Sequence, residues 1–373
     1  MWFAIGTEAI GFNPVHKGID YSYIIRFYLW DKVGRALRIQ HKIDFGEVEA
    51  YRKEYQLYPF YHTPMVSDGQ FKKPIFSRQK LLFIPFHVPH TAKLVSKLKN
   101  EKIRILSKEL TPQITLKDIV KPIEPTLDVV WWKALYEAVI KAMEVLDVHL
   151  FKEDIELLKA QIKGSVLITD LALKELTKYK PDALYVHSDN HPPYINYVLV
   201  AKQLGIPTFT YQHGLDCEHY YLDDCFADYV AVWSEKRKQA YQMHSQLKPK
   251  NIAVIGNLFM EQPVLKEKIS GEQTILFITR PHKAIKCYSP SRNHLEGVEI
   301  LKTILEFLAL NKETKLIIKP HPMDNKELYE VCIRESGLEA RITISNEKVL
   351  DILPKVDVVV TEDSTAGAEY FVL

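Results

Sequence analysis

The sequence has few cysteines, almost no net charge and no long apolar run. Its 373 residues include 4 cysteines, and none of them forms a CxxC pair, so neither a disulfide scaffold nor a structural zinc site is indicated. The formal net charge of +2 is too small to indicate a nucleic-acid partner. No run of about 18 apolar residues occurs, so no membrane-spanning helix is predicted. The first residues, MWFAIGTEAIGF, do not resemble a signal peptide, and we expect a cytoplasmic location.

The motifs of several common enzyme classes are also missing. There is no Walker A loop, no GxSxG nucleophile and no HExxH pair, which argues against a P-loop NTPase, a serine hydrolase and a zinc protease. The two glycines of IGTEAIGF are too loosely spaced for a dinucleotide-binding fingerprint. His213, Asp216 and His219 do not follow a known metal-binding spacing. We therefore predict no metal ion and no cofactor.

What is present is a regular alternation of strand-like and helix-like segments from Lys80 onward. Short apolar runs such as KLLFI, DALYV and KLIIK alternate with helical segments such as INYVLVAKQ, a pattern typical of βαβ units with parallel sheets. A break occurs in FMEQPVLKEKISGEQ, which is rich in charge and contains proline and glycine. The sequence thus predicts an α/β fold with two doubly wound Rossmann-like domains facing a cleft, residues 1–262 and 263–373.

Both ends of the chain differ from this regular pattern. Residues up to about Pro74 mix short β-like, aromatic runs with proline and glycine, and we expect an irregular cap there. Stretches such as YSYIIRFYLW are interpreted as core, with an acceptor-binding or membrane-facing surface as the alternative. The chain stops at AEYFVL, in or just after a helix. We therefore expect the second domain to be truncated, or to be closed by a helix from earlier in the chain.

Polar residues follow the strands of the second predicted domain. Because ligands of open α/β sheets bind at the carboxyl ends of the strands, these residues are candidates for a binding site. Lys319 and His321 alternate with proline in KPHP, where a cation and an imidazole can contact a phosphate. Arg280 follows the strand ILFIT. In TEDSTAGAE, Ser364 and Thr365 suit the first turn of a helix, where backbone N–H groups favour an anion, and Glu369 lies one turn later.

The first predicted domain offers two candidates for a general base. Asp189 ends the strand segment LYVHSD, and His213 ends the strand segment TYQH just before a glycine. Either side chain can accept a proton from a sugar hydroxyl. The residue pattern does not choose between them.

The order GIPTFTYQHG, AVIGN, KPHP and TEDSTAGAE resembles the GT-B glycosyltransferases of surface-polysaccharide and capsule assembly. Within them it is similar to the group with an HP motif and a Ser/Thr pair, which includes sialyl-, polysialyl-, Kdo and CDP-glycerol transferases. The similarity extends from about Ile168 to the end of the chain, and the first part matches no family.

This resemblance implies metal-independent transfer of a sugar from a nucleotide-sugar, with a CMP-sugar favoured, to a glycan or lipid-linked glycan acceptor. It implies that His321, Ser364 and Thr365 bind the donor phosphate and that a base comes from the first domain. Peripheral association with the inner face of the membrane is also expected. Three alternatives remain open, namely a CDP-glycerol-type glycerophosphotransferase, a UDP-GlcNAc 2-epimerase and a non-catalytic subunit of a glycan-assembly complex.

Overall fold

The computed structural model describes most of the chain. The residues that it describes are 2–40, 80–86, 91, 94, 95, 98, 103–107, 123–212, 225–244, 249–257, 273–279, 296–321, 324 and 326–361. The described residues up to 257 belong to one compact unit and those from 273 onward to a second. The predicted boundary at 262/263 lies outside the described residues.

The first 40 residues are more regular than the sequence predicted. Helix α1 spans Trp2–Ala9, a short antiparallel hairpin pairs β1, Val15–His16, with β2, Ile19–Asp20, and helix α2 spans Ser22–Gln40. The expected short β runs are limited to these two-residue strands, and two helices take the place of the irregular segment that the sequence predicted here. Tyr21, Ile24, Ile25 and Tyr28 are all almost fully buried, and their spacing places them on one face of a helix. Burial of this face outweighs the weak strand preference of the aromatic and β-branched side chains.

A parallel sheet forms the centre of the first unit. Among the described residues its strand order is β4-β3-β5-β6-β7-β8, and every neighbouring pair is parallel. The strands are β3, Lys80–Ile84; β4, Ile103–Ser107; β5, Ala183–Val186; β6, Thr208–Tyr211; β7, Tyr229–Val232; and β8, Asn251–Val254.

Four further helices of this unit have described bounds, and the first three of them bury its main core together with α2. They are α3, Val129–Val145; α4, Lys152–Tyr179; α5, Tyr194–Gln203; and α6, Glu235–His244. Tyr28 of α2, Ile162 of α4, Tyr197 of α5 and Phe83 of β3 lie in one apolar cluster. The N-terminal helix α2 is therefore part of the same core as the sheet.

The second unit has its own parallel sheet, with the described order β11-β10-β9-β12. Its helix α9 is shorter than EKVLDILPKV predicted, because Pro354 has no N–H to continue the helix and the chain turns into a 3₁₀ segment, Leu353–Lys355. The described elements are β9, Thr274–Ile278; α7, Glu296–Leu310; β10, Lys315–Lys319; α8, Lys326–Ser336; β11, Ile342–Ile344; α9, Val349–Ile352; and β12, Val358–Thr361.

These two sheets confirm the predicted α/β class with Rossmann-like, doubly wound connections. In the first sheet the strand order reverses between β3 and β5, and in the second it reverses between β9 and β12. In open α/β sheets, the crevice at the carboxyl ends of two such strands is where ligands bind. The loops after these strands are therefore the places at which to look for a site.

The amino ends of the strands, at the opposite edge of each sheet, share one hydrogen-bonding pattern. An aspartate directly before one strand accepts a hydrogen bond from a backbone N–H at the start of the neighbouring strand. Asp182 accepts from Leu81 at 2.8 Å, Asp228 from Thr208 at 3.1 Å, and Asp357 from Thr274 at 2.8 Å. We call these three residues the amino-end aspartates. They satisfy N–H groups that the sheet ladder leaves without a partner.

Candidate active site

In the second unit, the segment Lys319–His321 follows β10 beside the strand reversal. Lys319 pairs in register with Ile278 of β9, and its carbonyl accepts the N–H of Thr279 at 3.1 Å. Both Lys319 and His321 are half-buried. The structure thus brings these two predicted residues to the carboxyl edge of the second sheet.

A small hydrogen-bond network fixes the backbone of this segment. The N–H of His321 donates to the Thr279 hydroxyl at 3.0 Å, and that hydroxyl donates to the carboxylate of Asp324. Tyr329, on helix α8, donates to the same carboxylate oxygen at 2.8 Å. The position of His321 is therefore set by groups from β9 and α8 as well as by its own proline neighbour.

Sequence reasoning did not select Thr279, Asp324 or Tyr329 as site residues. Thr279 was recognisable as a polar residue at a strand end. The pairing of Asp324 with Thr279 depends on how the loop returns to β9, and no spacing rule predicts it.

The neighbouring strand of the reversal, β12, ends in a second hydroxyl. Thr361 is in register with Ile278 of β9. Its Oγ1 is buried, and among the described residues it has no hydrogen-bond partner. A buried polar atom without a partner is costly unless a water or a ligand satisfies it. Thr361 therefore marks this edge as a place where a polar ligand group fits.

Four of the predicted phosphate-binding residues cannot be placed. Arg280, Ser364, Thr365 and Glu369 lie outside the described residues, and their role in binding stays a prediction. The same holds for His213, one of the two proposed bases, which follows Gln212 in the first unit. Gln212 itself is buried, and its Oε1 accepts the N–H of Trp233 at 2.9 Å, so this side chain ties the ends of β6 and β7 together.

Asp189 lies in the loop after β5, at the strand reversal of the first sheet, and is only 4% exposed. Its Oδ2 accepts the backbone N–H groups of Phe226 and Ala227, each at 2.8 Å. Burial raises the pKa of this carboxyl against the opposing effect of the two amides. The carboxylate thus joins two loops of the first unit, and its role as a base stays a prediction.

A group of aromatic rings and histidines lies next to Asp189. Tyr194, at the start of α5, contacts the rings of Phe86, His187 and His191 at centroid distances of 5.3, 6.1 and 5.1 Å. Phe86 follows β3 and His187 follows β5, so the group spans the strand reversal. Phe27 of α2 stacks on His191 at 5.3 Å. We call Phe27, Phe86, His187, His191 and Tyr194 the aromatic–histidine cluster.

Within the ranges that the structure describes, no three His, Cys, Asp or Glu side chains form a group that could hold a metal ion. None of the helices described here is both long and apolar enough to cross a bilayer.

Comparison with known proteins gives structural likenesses only. No family model and no curated sequence matches the chain. A UDP-N-acetylglucosamine 2-epimerase from Rickettsia bellii is similar at 15% identity and a TM-score of 0.44, over 79% of this chain and 77% of that one. The UDP-GlcNAc 2-epimerase from Neisseria meningitidis, bound to UDP-GlcNAc, is similar at 13% identity and a TM-score of 0.42, over 76% and 77% of the two chains.

A glycosyltransferase is also among the similar structures. The lipopolysaccharide outer core galactosyltransferase WaaB has 15% identity and a TM-score of 0.40, over 71% of this chain and 67% of its own. Likenesses at this level define neither a substrate nor a reaction, so function must be argued from the residues of this chain.

Proposed function

We propose that this chain is a glycosyltransferase that transfers a sugar from a nucleotide-sugar donor to a glycan acceptor, without a metal ion. Its second unit binds the nucleotide phosphate. A CMP-sugar as donor and a surface or lipid-linked glycan as acceptor are the finer form of this proposal.

The observation that carries the proposal is the fixed arrangement at the carboxyl edge of the second sheet. Lys319 supplies a positive charge, and the imidazole of His321 follows two residues later on a backbone held by Thr279. Donors that are already in position stabilise a departing phosphate without reorganising during the reaction. Such groups can take the place of a divalent cation.

Two further features support a phosphate at this edge. The Oγ1 of Thr361 is buried and has no partner among the described residues, at the end of the strand that borders the reversal. The residues that follow it in sequence, Ser364 and Thr365, suit a helix start, where backbone N–H groups bind anions. The proposed phosphate site therefore combines the ends of β9, β10 and β12.

Calorimetric titration with CMP, CDP, UDP, UMP and GDP tests the proposal. We expect nucleotides with one particular nucleobase to bind most tightly, and we expect EDTA to leave their affinity unchanged. His321→Ala and Lys319→Ala each weaken binding of that nucleotide at least tenfold, because each removes a phosphate contact. Lys315→Ala is the matched control, since Lys315 begins the same strand β10 at its opposite end, and it leaves the affinity unchanged.

Several results would contradict the proposal. If none of the five nucleotides binds, or if Lys319→Ala and Lys315→Ala are equivalent, the edge is not a phosphate site. The product of incubation with nucleotide-sugars distinguishes the reaction. Conversion of UDP-GlcNAc into its 2-epimer without an acceptor would show an epimerase, and transfer of glycerol phosphate from CDP-glycerol would show a phosphotransferase.

A further inference from the structure

His191 is held by contacts on three sides at the strand reversal of the first sheet. The ring of Phe27 stacks on it with an interplanar angle of 29°, and Tyr194 meets it edge-on at 84°. Its Nδ1 lies 2.9 Å from the carbonyl oxygen of Pro192. The residue is half-buried, and these three contacts restrain the ring.

The contact with Pro192 defines which ring nitrogen bears the proton. A carbonyl oxygen only accepts hydrogen bonds, so Nδ1 must be the donor in this contact. In a neutral imidazole the other nitrogen, Nε2, then has a free lone pair. Burial lowers the pKa of His191, against the opposing effects of the Pro192 carbonyl and the charge of Asp189. The ring is therefore neutral at pH 7, with Nε2 as a proton acceptor.

We propose that His191 is the general base of the transfer reaction, accepting the proton of the acceptor hydroxyl on Nε2. This inference rests on the proposed function. As the proton moves to Nε2, the hydroxyl oxygen forms a bond to the anomeric carbon of the donor sugar. The bond from that carbon to the phosphate oxygen breaks, and its electron pair leaves on the phosphate. His191 becomes an imidazolium, and the leaving nucleotide takes the negative charge.

The neighbouring groups suit this role. Asp189, two residues earlier, has a buried carboxylate whose Oδ2 is occupied by two backbone amides, so its charge can stabilise the imidazolium while it holds the loop. Among the described residues, Tyr194 contacts the His191 ring, His187 contacts Tyr194, and Arg26 precedes Phe27 on α2. Arg26 has its guanidinium over the ring of Phe226, 4.7 Å from the centroid.

This role also gives a function to the N-terminal helix α2. Phe27 stacks on the imidazole, while Tyr23 and Arg26 pack on Phe226, whose N–H binds Asp189. Helix α2 is thus a positioning element for both His191 and Asp189. A strand-ending pattern could not have found it, because α2 is distant from this loop in sequence.

The first experiment is long-range ¹H–¹⁵N NMR of the imidazole rings in the full-length chain, with the His191 signals assigned as those lost in His191→Gln. We expect the neutral tautomer protonated on Nδ1 at pH 7, titrating below the ordinary histidine pKa. A tautomer protonated on Nε2, or an imidazolium at pH 7, would overturn the proposal. This measurement on the wild-type chain stays decisive even if the variant is poorly folded, since sequential assignment can replace the variant.

The second experiment measures nucleotide release from UDP-, CMP- and GDP-sugars with water as the acceptor, because the glycan is not identified. General bases typically contribute about 100-fold or more, so we expect at least that loss of kcat in His191→Gln, with unchanged nucleotide affinity. The wild-type kcat rises with pH as His191 loses its proton, and the variant lacks this rise. His149→Gln, at an exposed histidine 73% accessible at its side chain, is the matched control with wild-type behaviour.

The outcomes separate the two proposals. If the wild type releases no nucleotide from any donor, the proposed function fails and the role of His191 fails with it. If the wild type is active and His191→Gln keeps its rate and its pH profile, only the role of His191 is wrong. Phe27→Leu tests positioning. We expect a lower kcat with the pH dependence retained, and recovery in Phe27→Tyr, which can still stack.

Discussion

The two ends of the strands use aspartate in opposite ways. At the amino ends, Asp182 and Asp228 both have a lowered pKa. For Asp182 the main cause is the hydrogen bond from the Leu81 N–H, followed by Lys80. For Asp228 burial acts to raise the pKa, and the bonds from Thr208 with the charge of Lys202 outweigh it. At the carboxyl end, burial prevails and raises the pKa of Asp189.

This difference in pKa means that the charges of these aspartates affect the stability of the fold in opposite directions. An aspartate with a lowered pKa is more favourably charged in the folded chain than in the unfolded chain, so its ionisation stabilises the fold. For Asp189, burial disfavours the charged form, and this residue precedes His191 by two positions. The charges of Asp182 and Asp228 thus stabilise the fold, whereas Asp189, at a carboxyl end, stabilises it through the hydrogen bonds that it accepts.

The largest expected effect comes from removing the carboxylate of Asp189. Asp189→Ala leaves two buried backbone N–H groups without an acceptor, and since each such group costs about 1–3 kcal/mol, we expect a loss of about 2–6 kcal/mol. Asp189→Asn keeps an acceptor oxygen, so we expect a smaller loss of unfolding free energy for this variant. All five tryptophans lie in the first unit, so urea denaturation followed by tryptophan fluorescence reports on this unit alone. They are Trp2, Trp30, Trp131, Trp132 and Trp233.

The pH dependence sharpens this test. Because the pKa of Asp189 is raised in the folded chain, its contribution to the free energy of unfolding falls as pH rises from the unfolded pKa, near 4, through the folded pKa. Asp189→Asn removes this fall. Asp147→Asn, at an aspartate whose side chain is 79% exposed, is the control and stays within about 0.5 kcal/mol of wild type. A loss in Asp189→Ala no greater than that of the control would show that the two amides have other acceptors.

Among the described residues from 80 onward, the sequence predicted the strands and helices well, because their apolar spacing records which faces are buried. It failed for residues 2–40, where aromatic and β-branched side chains concealed the helical spacing of Tyr21, Ile24, Ile25 and Tyr28. That spacing was available in the sequence. The strength of tertiary burial that decides between helix and strand was not.

For the candidate site too, the sequence predicted the local features and missed those that depend on tertiary contacts. Lys319 and His321 were identifiable, because the carboxyl end of a predicted strand is a local feature. The partners that position the backbone of this segment, Thr279 and Asp324, come from separate segments and were missed as a network. His191 was also missed, since its significance depends on the stacking of Phe27 from a helix distant in sequence. The amino-end aspartates could have been found, since PDALYV, ADYVAV and VDVVVT repeat an aspartate directly before a strand.

An intermediate effect is expected at Asp228. Its Oδ2 accepts from the Thr208 N–H and hydroxyl, and its Oδ1 lies 3.3 Å from Lys202 and 3.4 Å from Lys250. Asp228→Asn keeps an acceptor but loses the attraction to both lysines. We expect a loss of about 1–2 kcal/mol, because the aspartate is largely buried and its bonds are charge-assisted. The measurement is again urea denaturation read by tryptophan fluorescence.

The control for Asp228 is a double-mutant cycle with Lys202→Met. If the ion pair contributes, the two changes together cost less than the sum of the single losses. Additive losses would assign the effect of Asp228→Asn to the bonds with Thr208 or to the ion pair with Lys250.

The smallest effect is expected at Asp182, whose ion pair with Lys80 is exposed. Nζ of Lys80 lies 3.0 Å from Oδ1, and the Lys80 side chain is 78% exposed. Since exposed pairs contribute at most about 1 kcal/mol, Asp182→Asn costs less than that at pH 7. The folded pKa is lowered, so this contribution is present above the unfolded pKa, near 4, and is lost as pH falls through the folded value. We therefore expect wild type and Asp182→Asn to converge in stability at acid pH, measured by urea denaturation at pH 7 and near pH 3.

Lys80→Met separates the ion pair from the backbone hydrogen bond as causes of the lowered pKa of Asp182, because it removes the ion pair and keeps the bond to the Leu81 N–H. If Lys80→Met alone reproduces the loss and its pH dependence, the ion pair is responsible, and the backbone bond common to the three amino-end aspartates is not what lowers the pKa.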